Sequence, residues 1–120
     1  MKSLISALLL FLAVVGAITL NSIFLQRTCD TIKDTVSAIP YSSKSDELMS
    51  ELESLWGKRN SLVGLSVKAD YVDRMSELII SLSTAIKEKD QSEIQRVCQL
   101  ITEHCESIAI YERISLHSLF

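Results

Sequence analysis

Thiols and imidazoles are the side chains here with the widest chemistry: Cys29, Cys98 and Cys105, with His104 and His117. Each needs a partner at the right spacing before it can act as nucleophile, metal ligand or half of a disulfide. Cys98 and Cys105 stand seven residues apart in a stretch of helical pattern, on one face and about 10.5 Å from each other. A disulfide needs Cα atoms within about 7 Å. The two therefore do not bridge each other and are expected to be small buried hydrophobes. Nothing in the sequence brings Cys29 to either of them, which leaves acylation or an intermolecular disulfide as its chemical options. His104 falls in an apolar stripe beside Cys105 and is expected to be a hydrogen-bonded or edge-exposed histidine. His117 has no companion. Neither CxxC nor HxxxH spacing occurs, so no metal site is expected.

The carboxylates are no more suggestive. Glu51, Glu53, Asp70, Asp73, Glu77, Glu103, Glu106 and Glu112 are spread as on a solvated face, with no pair set apart as general acid and base. Three glycines do not build a phosphate cradle, and GxSxG, P-loop and GxGxxG motifs are absent. With a net charge of −3 there is no polybasic surface for nucleic-acid phosphates. The expectation is a protein without enzymatic activity, cofactor or nucleic-acid partner.

The elements that must position these groups begin with a long apolar run. No charged residue occurs from Ser3 to Gln26. Residues 4–25 span roughly 33 Å as a helix, enough for a hydrocarbon core of about 30 Å. Only a helix satisfies its own backbone in lipid among single segments, so residues 1–26 are expected to form a membrane anchor touching the bilayer through residues 4–25. A cleaved secretory signal is the competing reading, with Val15-Gly16-Ala17 as the cut site. Against it, the apolar run continues to Leu25, and cleavage would leave Ile18, Leu20, Ile23, Phe24 and Leu25 at a new N-terminus. Lys2 before the span resembles a signal-anchor start, which places the rest of the chain outside the cell membrane. A count of Arg27, Lys33 and Lys44 after the span points the other way. The extracytoplasmic placement is the one expected here.

Residues 27–120 carry helical patterning throughout, and the content of 3 Gly and 1 Pro argues against a turn-rich β fold. Ile32, Val36 and Ile39 extend the anchor as a stalk, which Pro40 ends because the residue before proline avoids the α region. A second helix starts near Ser43 or Ser45, with Leu48, Met49, Leu52, Leu55 and Trp56 on one face. Gly57 weakens it, and 60–67 reads either as a bent continuation or as a packed connector. A third helix runs from Ala69 to Glu88 with Val72, Met75, Leu78, Ile79, Leu82 and Ile86 as its stripe. After a short polar turn, Asp90 and Glu93 resemble a capping box. A fourth helix then runs from Gln91 or Ser92 to about Arg113, with Ile94, Val97, Ile101, His104, Ile108 and Tyr111 spaced 3, 4, 3, 4, 3. Two matching stripes joined by a short turn predict an antiparallel hairpin. The expected fold is all-α: a transmembrane helix followed by a small antiparallel helical bundle. The apolar tail 114–120 is expected to pack back on the bundle through Leu116, Leu119 and Phe120.

The start Met1-Lys2-Ser3-Leu4-Ile5, the single span, the Leu55-Trp56 pair, the hairpin and the ending Tyr111-Glu112-Arg113-Ile114-Ser115-Leu116-His117-Ser118-Leu119-Phe120 together resemble a bacterial family. It is the domain-of-unknown-function family 4363 (DUF4363). The resemblance covers nearly the whole chain. It implies a small membrane-associated protein of mostly Gram-positive bacteria with no assigned activity, so no catalytic residue transfers. Gly57 and Gly64 depart from the more charged and helical stretch expected there. The function expected is that of an accessory or scaffolding protein binding another envelope protein through helical surfaces, with Trp56, Tyr111, Leu119 and Phe120 as candidate contacts. The alternatives are an envelope sensor holding a small ligand between helices and a secreted helical protein released by cleavage.

Overall fold

In the computed structural model, residues 1–64 and 67–119 are described, without the side chains of Leu62 and 115–119. They form four helices, α1 (Lys2–Ala38), α2 (Ser45–Val63), α3 (Ala69–Lys87) and α4 (Gln91–Leu119), with a 3₁₀ turn, Ile39–Tyr41, between the first two. No strand occurs among the described residues.

Helix α1 has two unlike halves. Up to Leu20 nearly all its large apolar side chains, among them Leu4, Leu8, Leu9, Leu10, Phe11 and Leu20, are exposed, with Val15 and Ile18 half-buried. From Leu25 onward Leu25, Cys29, Ile32, Val36 and then Ile39 are buried, spaced 4, 3, 4, 3 as a bundle seam requires. The expected stalk is thus the first helix of the bundle. Packing begins at about Asn21–Leu25, several residues before the expected boundary at 26. The bare part, up to Leu20, still measures about 30 Å as a helix.

The helices run up and down. Gln91 Nε2 donates to the Pro40 carbonyl at 2.7 Å, at the end far from the anchor. Arg59 Nη1 donates to Thr28 Oγ1 at 3.2 Å, at the near end. Each helix packs on the next and α4 closes back on α1, while no backbone contact joins α1 to α3 or α2 to α4 among the described residues. This is a square four-helix bundle. With the projecting N-terminal half of α1 it measures 66 × 23 × 20 Å.

Pro40 does not stop the chain by forcing Ile39 out of the helical region. Ile39 stays αR, with φ −54° and ψ −48°, and its N–H donates to Thr35 O. Its side chain is buried, and that burial offsets the clash that ordinarily disfavours this conformation. Pro40 is then tolerated near the start of the 3₁₀ turn, where it gives up no needed donor. Helix α2 passes through Gly57 to Val63; an added Cβ at Gly57 would meet nothing within 4 Å. The stretch 60–67 is helical to Val63, and Leu65 and Ser66 lie outside the described residues.

The hairpin forms as expected. Asp90 Oδ1 accepts from the Glu93 N–H at 3.2 Å, capping α4. The reciprocal half of a capping box is absent, because Glu93 turns to Arg96 instead. Lys89 at the turn has φ 55°. Its N–H bonds Ile86 O, and that of Asp90 bonds Ala85 O. This is the Schellman closure, with a lysine where glycine is usual.

Candidate functional site

Helix α4 is the hub, and its side chains divide between two neighbours. Val97, Ile101, His104, Ile108 and Tyr111 continue the stripe read from the sequence. Ile94 of that stripe is buried, and so, as expected, are Cys98 and Cys105; with Glu112 the two cysteines make an adjoining buried row, because α4 packs on both α1 and α3. Glu112, expected on the solvated face, is buried at 6% exposure. The helix also runs further than expected, to Leu119.

The second row changes the reading of the cysteines. Cys29 on α1 is 5% exposed and Cys105 on α4 is fully buried. Cys98 shares a groove with Val36, so in the antiparallel register Cys105, seven residues further along α4, stands level with Cys29, seven residues back along α1, and the two thiols perturb each other's ionisation. The expectation that Cys29 stands apart is corrected: burial removes it from acylation or from pairing with another chain. The contact with Cys105 is the main cause that lowers the Cys29 thiol pKa, against its burial and with help from Lys33. The same contact, together with burial, pushes Cys105 up. Cys98 is raised to about 11 by burial alone. The signal available in the sequence was the 4, 3, 4, 3 spacing through Leu25, Cys29, Ile32, Val36 and Ile39, once Cys29 counts as apolar.

Trp56 is corrected too. At 5% exposure it is not an open contact for a partner. Its indole N–H donates to Ser76 Oγ at 2.9 Å, and Ser76 donates to Val72 O. Trp56 fastens α2 to α3. Tyr111 is half-buried in an aromatic group, 5.1 Å from the Tyr71 ring with Lys68 Nζ over its face. His104 stacks on Tyr71 at 5.7 Å and places Nε2 2.7 Å from the Tyr71 carbonyl, so it is the hydrogen-bonded histidine expected. The Leu119 side chain and Phe120 lie outside the described residues, as does the docking expected of Leu116.

The junction between the exposed and the packed halves of α1 holds the most distinctive surface. Arg59 reaches from α2 across α1, with its guanidinium 5.2 Å above the Phe24 ring and its hydrogen bond to Thr28. Thr28 is buried and donates in turn to Phe24 O. A groove of about 490 Å³ opens beside them, with an apolar floor of Leu20, Ile23 and Phe24 and a polar rim of Arg27, Asp30, Asp34 and Arg59. Two cations and two anions on one rim favour no single charge class of ligand. On the outer face of α4, Ile110 and Ile114 are exposed one turn apart. Counting from the Cys29–Cys105 contact at 1.5 Å per residue, they stand roughly level with residues 20–24 of the anchor. They are the apolar surface that the sequence stripe, which follows the buried face, does not mark.

Among the described residues no three metal-ligating side chains converge. Set against family models, curated proteins and solved structures, the chain matches none.

Proposed function

We propose that this chain is a single-pass membrane protein whose bundle acts as a non-enzymatic scaffold for another envelope protein, and that it is a member of the family 4363 named above. The observation that carries this reading is the continuity of α1. One unbroken helix from Lys2 to Ala38 supplies both the apolar span and one wall of the bundle. No linker separates them, so the bundle is held at a fixed angle and height above the bilayer. A rigid mount suits a part that presents surface to a neighbour in the same membrane. The surface proposed is the exposed Ile110–Ile114 ridge with half-buried Tyr111 beside it, close to the bilayer, where a neighbouring span or juxtamembrane helix would meet it.

The bundle is placed outside the cytoplasm. Crosslinking in native membranes from cysteine or photoreactive groups at 110 and 114, followed by mass spectrometry of what is captured, tests the scaffold. Repeated capture of one membrane protein, lost on substitution of Ile114 by Asp, supports it. Release of full-length protein by carbonate washing would end it.

A second reading has one observation in its favour. Cleavage after Ala17 would leave every buried residue of α1 in place, since packing starts beyond it, and the bundle would survive as a secreted protein. N-terminal sequencing of the mature chain separates the two: a start near Ile18 favours release, and a retained Met1–Lys2 end favours the anchor. For a sensor of small ligands the support is thin, because the described hollows are open surface grooves.

A further inference from the structure

The three cysteines occupy two different settings. Cys98 stands on α4 beside a groove shared with Val36, Pro40 and Tyr41. Two helical turns further along α4, and two turns back along α1 from Val36, Cys105 and Cys29 come level with each other in the α1–α4 interface, both buried. We propose that Cys29 and Cys105 are a disulfide-forming pair that locks the membrane helix to the C-terminal helix, with Cys98 left as a free thiol.

The geometry of the bundle permits the bond. Helix axes in such packing lie about 8–10 Å apart, and each Cα sits about 2.3 Å off its axis. Residues facing each other across the seam therefore bring their Cα atoms to within about 6 Å, inside the range a disulfide requires. Cys98 is excluded from pairing with Cys105 by their separation along one helix.

The oxidant is a disulfide, either of a small thiol such as glutathione or of a thiol oxidoreductase, written RSSR. The Cys29 thiolate attacks one sulfur of RSSR and expels RS⁻, giving a mixed disulfide. The Cys105 thiolate then attacks the Cys29 sulfur and expels the second RS⁻. The two protons leave with the two RS⁻ groups as RSH, and two electrons pass to the oxidant. The same two exchanges balance equally with Cys105 as the first attacker. Both thiols are buried in the finished bundle, so the exchange runs while the chain folds or during local opening of α4.

The bond would close a loop of about 75 residues holding α2, α3 and half of α4, and long loops are those that a crosslink restricts most in the unfolded chain. It would also keep the α4 end beside the anchor. Its presence in the cell rests on the extracytoplasmic placement proposed above, since cytoplasmic thiols stay reduced. Its chemical competence does not.

The test uses the full-length chain in detergent, refolded and equilibrated with oxidised glutathione, then alkylated with N-ethylmaleimide in denaturant and mapped by mass spectrometry without reduction. The expected result is a Cys29–Cys105 linkage with Cys98 alkylated, and a melting temperature about 10 °C above that of the reduced chain. C98S keeps both the linkage and the shift, whereas C29S and C105S lose them; each single variant reports independently, so a folding defect in one does not remove the test. Three alkylated thiols in oxidising buffer, or a linkage that includes Cys98, overturns the pairing. Alkylation in intact membranes before extraction tests the placement separately. A pair that oxidises in detergent but is found reduced in membranes supports the pairing and overturns the extracytoplasmic reading.

Discussion

The two halves of α1 have nearly the same backbone and opposite surroundings. Leu9 and Ile32 are both aliphatic residues in the middle of a helix, yet Leu9 is 62% exposed and Ile32 is 1% exposed. The first half is apolar on every side, as a helix is when its whole surface faces lipid. The second half is apolar on one stripe, with Arg27, Asp30, Lys33 and Asp34 around it, as a helix is when one side faces protein and the other water. The same residue type therefore stabilises different things in the two places. In the second half it sets the fold; in the first it makes a helix long and apolar enough to span a bilayer.

Charge insertion should separate the halves most sharply. Ile32→Asp places an unpaired carboxylate in the core and should unfold the bundle, at a cost of about 4 kcal/mol or more, read as loss of cooperative melting in circular dichroism. Leu9→Asp should leave that melting curve unchanged in detergent and weaken bilayer insertion by about 3 kcal/mol, read as protein released by carbonate. If Leu9→Asp lowers the melting temperature as Ile32→Asp does, the division of α1 is wrong.

A smaller effect sits at the border. Arg59→Ala removes the hydrogen bond to Thr28 and the contact with the Phe24 ring, and should cost about 1–2 kcal/mol in chemical denaturation. Thr28→Val, which keeps the volume but not the acceptor, should cost no more than half as much, because the Arg59 contact with the Phe24 ring remains. An Arg59→Ala variant as stable as the parent would mean that α2 is not fastened to the anchor here.

The packed half also predicts a pH response. Burial holds Cys98 at about 11, above its ordinary 9.0. The unfolded chain then loses that proton first as pH rises. This contribution to stability is complete below about pH 9 and is lost progressively up to about pH 11. Cys98→Ala should flatten the fall in denaturation midpoint over that interval relative to the parent. Parallel curves would show that Cys98 is not the group responsible.

The smallest changes concern two backbone positions, one inside a helix and one at a turn. Gly57 lies inside α2 with open space where a Cβ would be, and Lys89 adopts a left-handed conformation that suits glycine. Gly57→Ala and Lys89→Gly should each stabilise by about 0.5–1 kcal/mol, additively because they sit in different elements. A loss of stability in either variant would contradict the local geometry assigned to it.

Much of this was readable from residue order. The stripes of α2, α3 and α4, the Asp90 cap and the apolar span each depend on neighbours a few positions away, where helical periodicity acts. Misreadings arose where the answer depended on distant residues. Trp56 looked like an outward anchor because aromatic residues often are; the Ser76 hydroxyl, twenty residues on, draws it inward. Glu112 looked solvated because its buried surroundings come from another helix. The burial expected of Cys98 and Cys105 extends along the same row to Glu112 because α4 has two packed neighbours and buries more than one stripe.

Residue order determined that the chain is helical, that its first two dozen residues are apolar enough to span a bilayer, and that a short turn folds α3 back on α4. Hydrophobic spacing and turn chemistry are local, so they survive without knowledge of partners. Only the tertiary structure decided that the second half of α1 is a wall of the bundle and that Cys29 lies against Cys105. Which stripe faces which is settled by four helices burying their apolar surfaces at once, and that choice is written in no single segment.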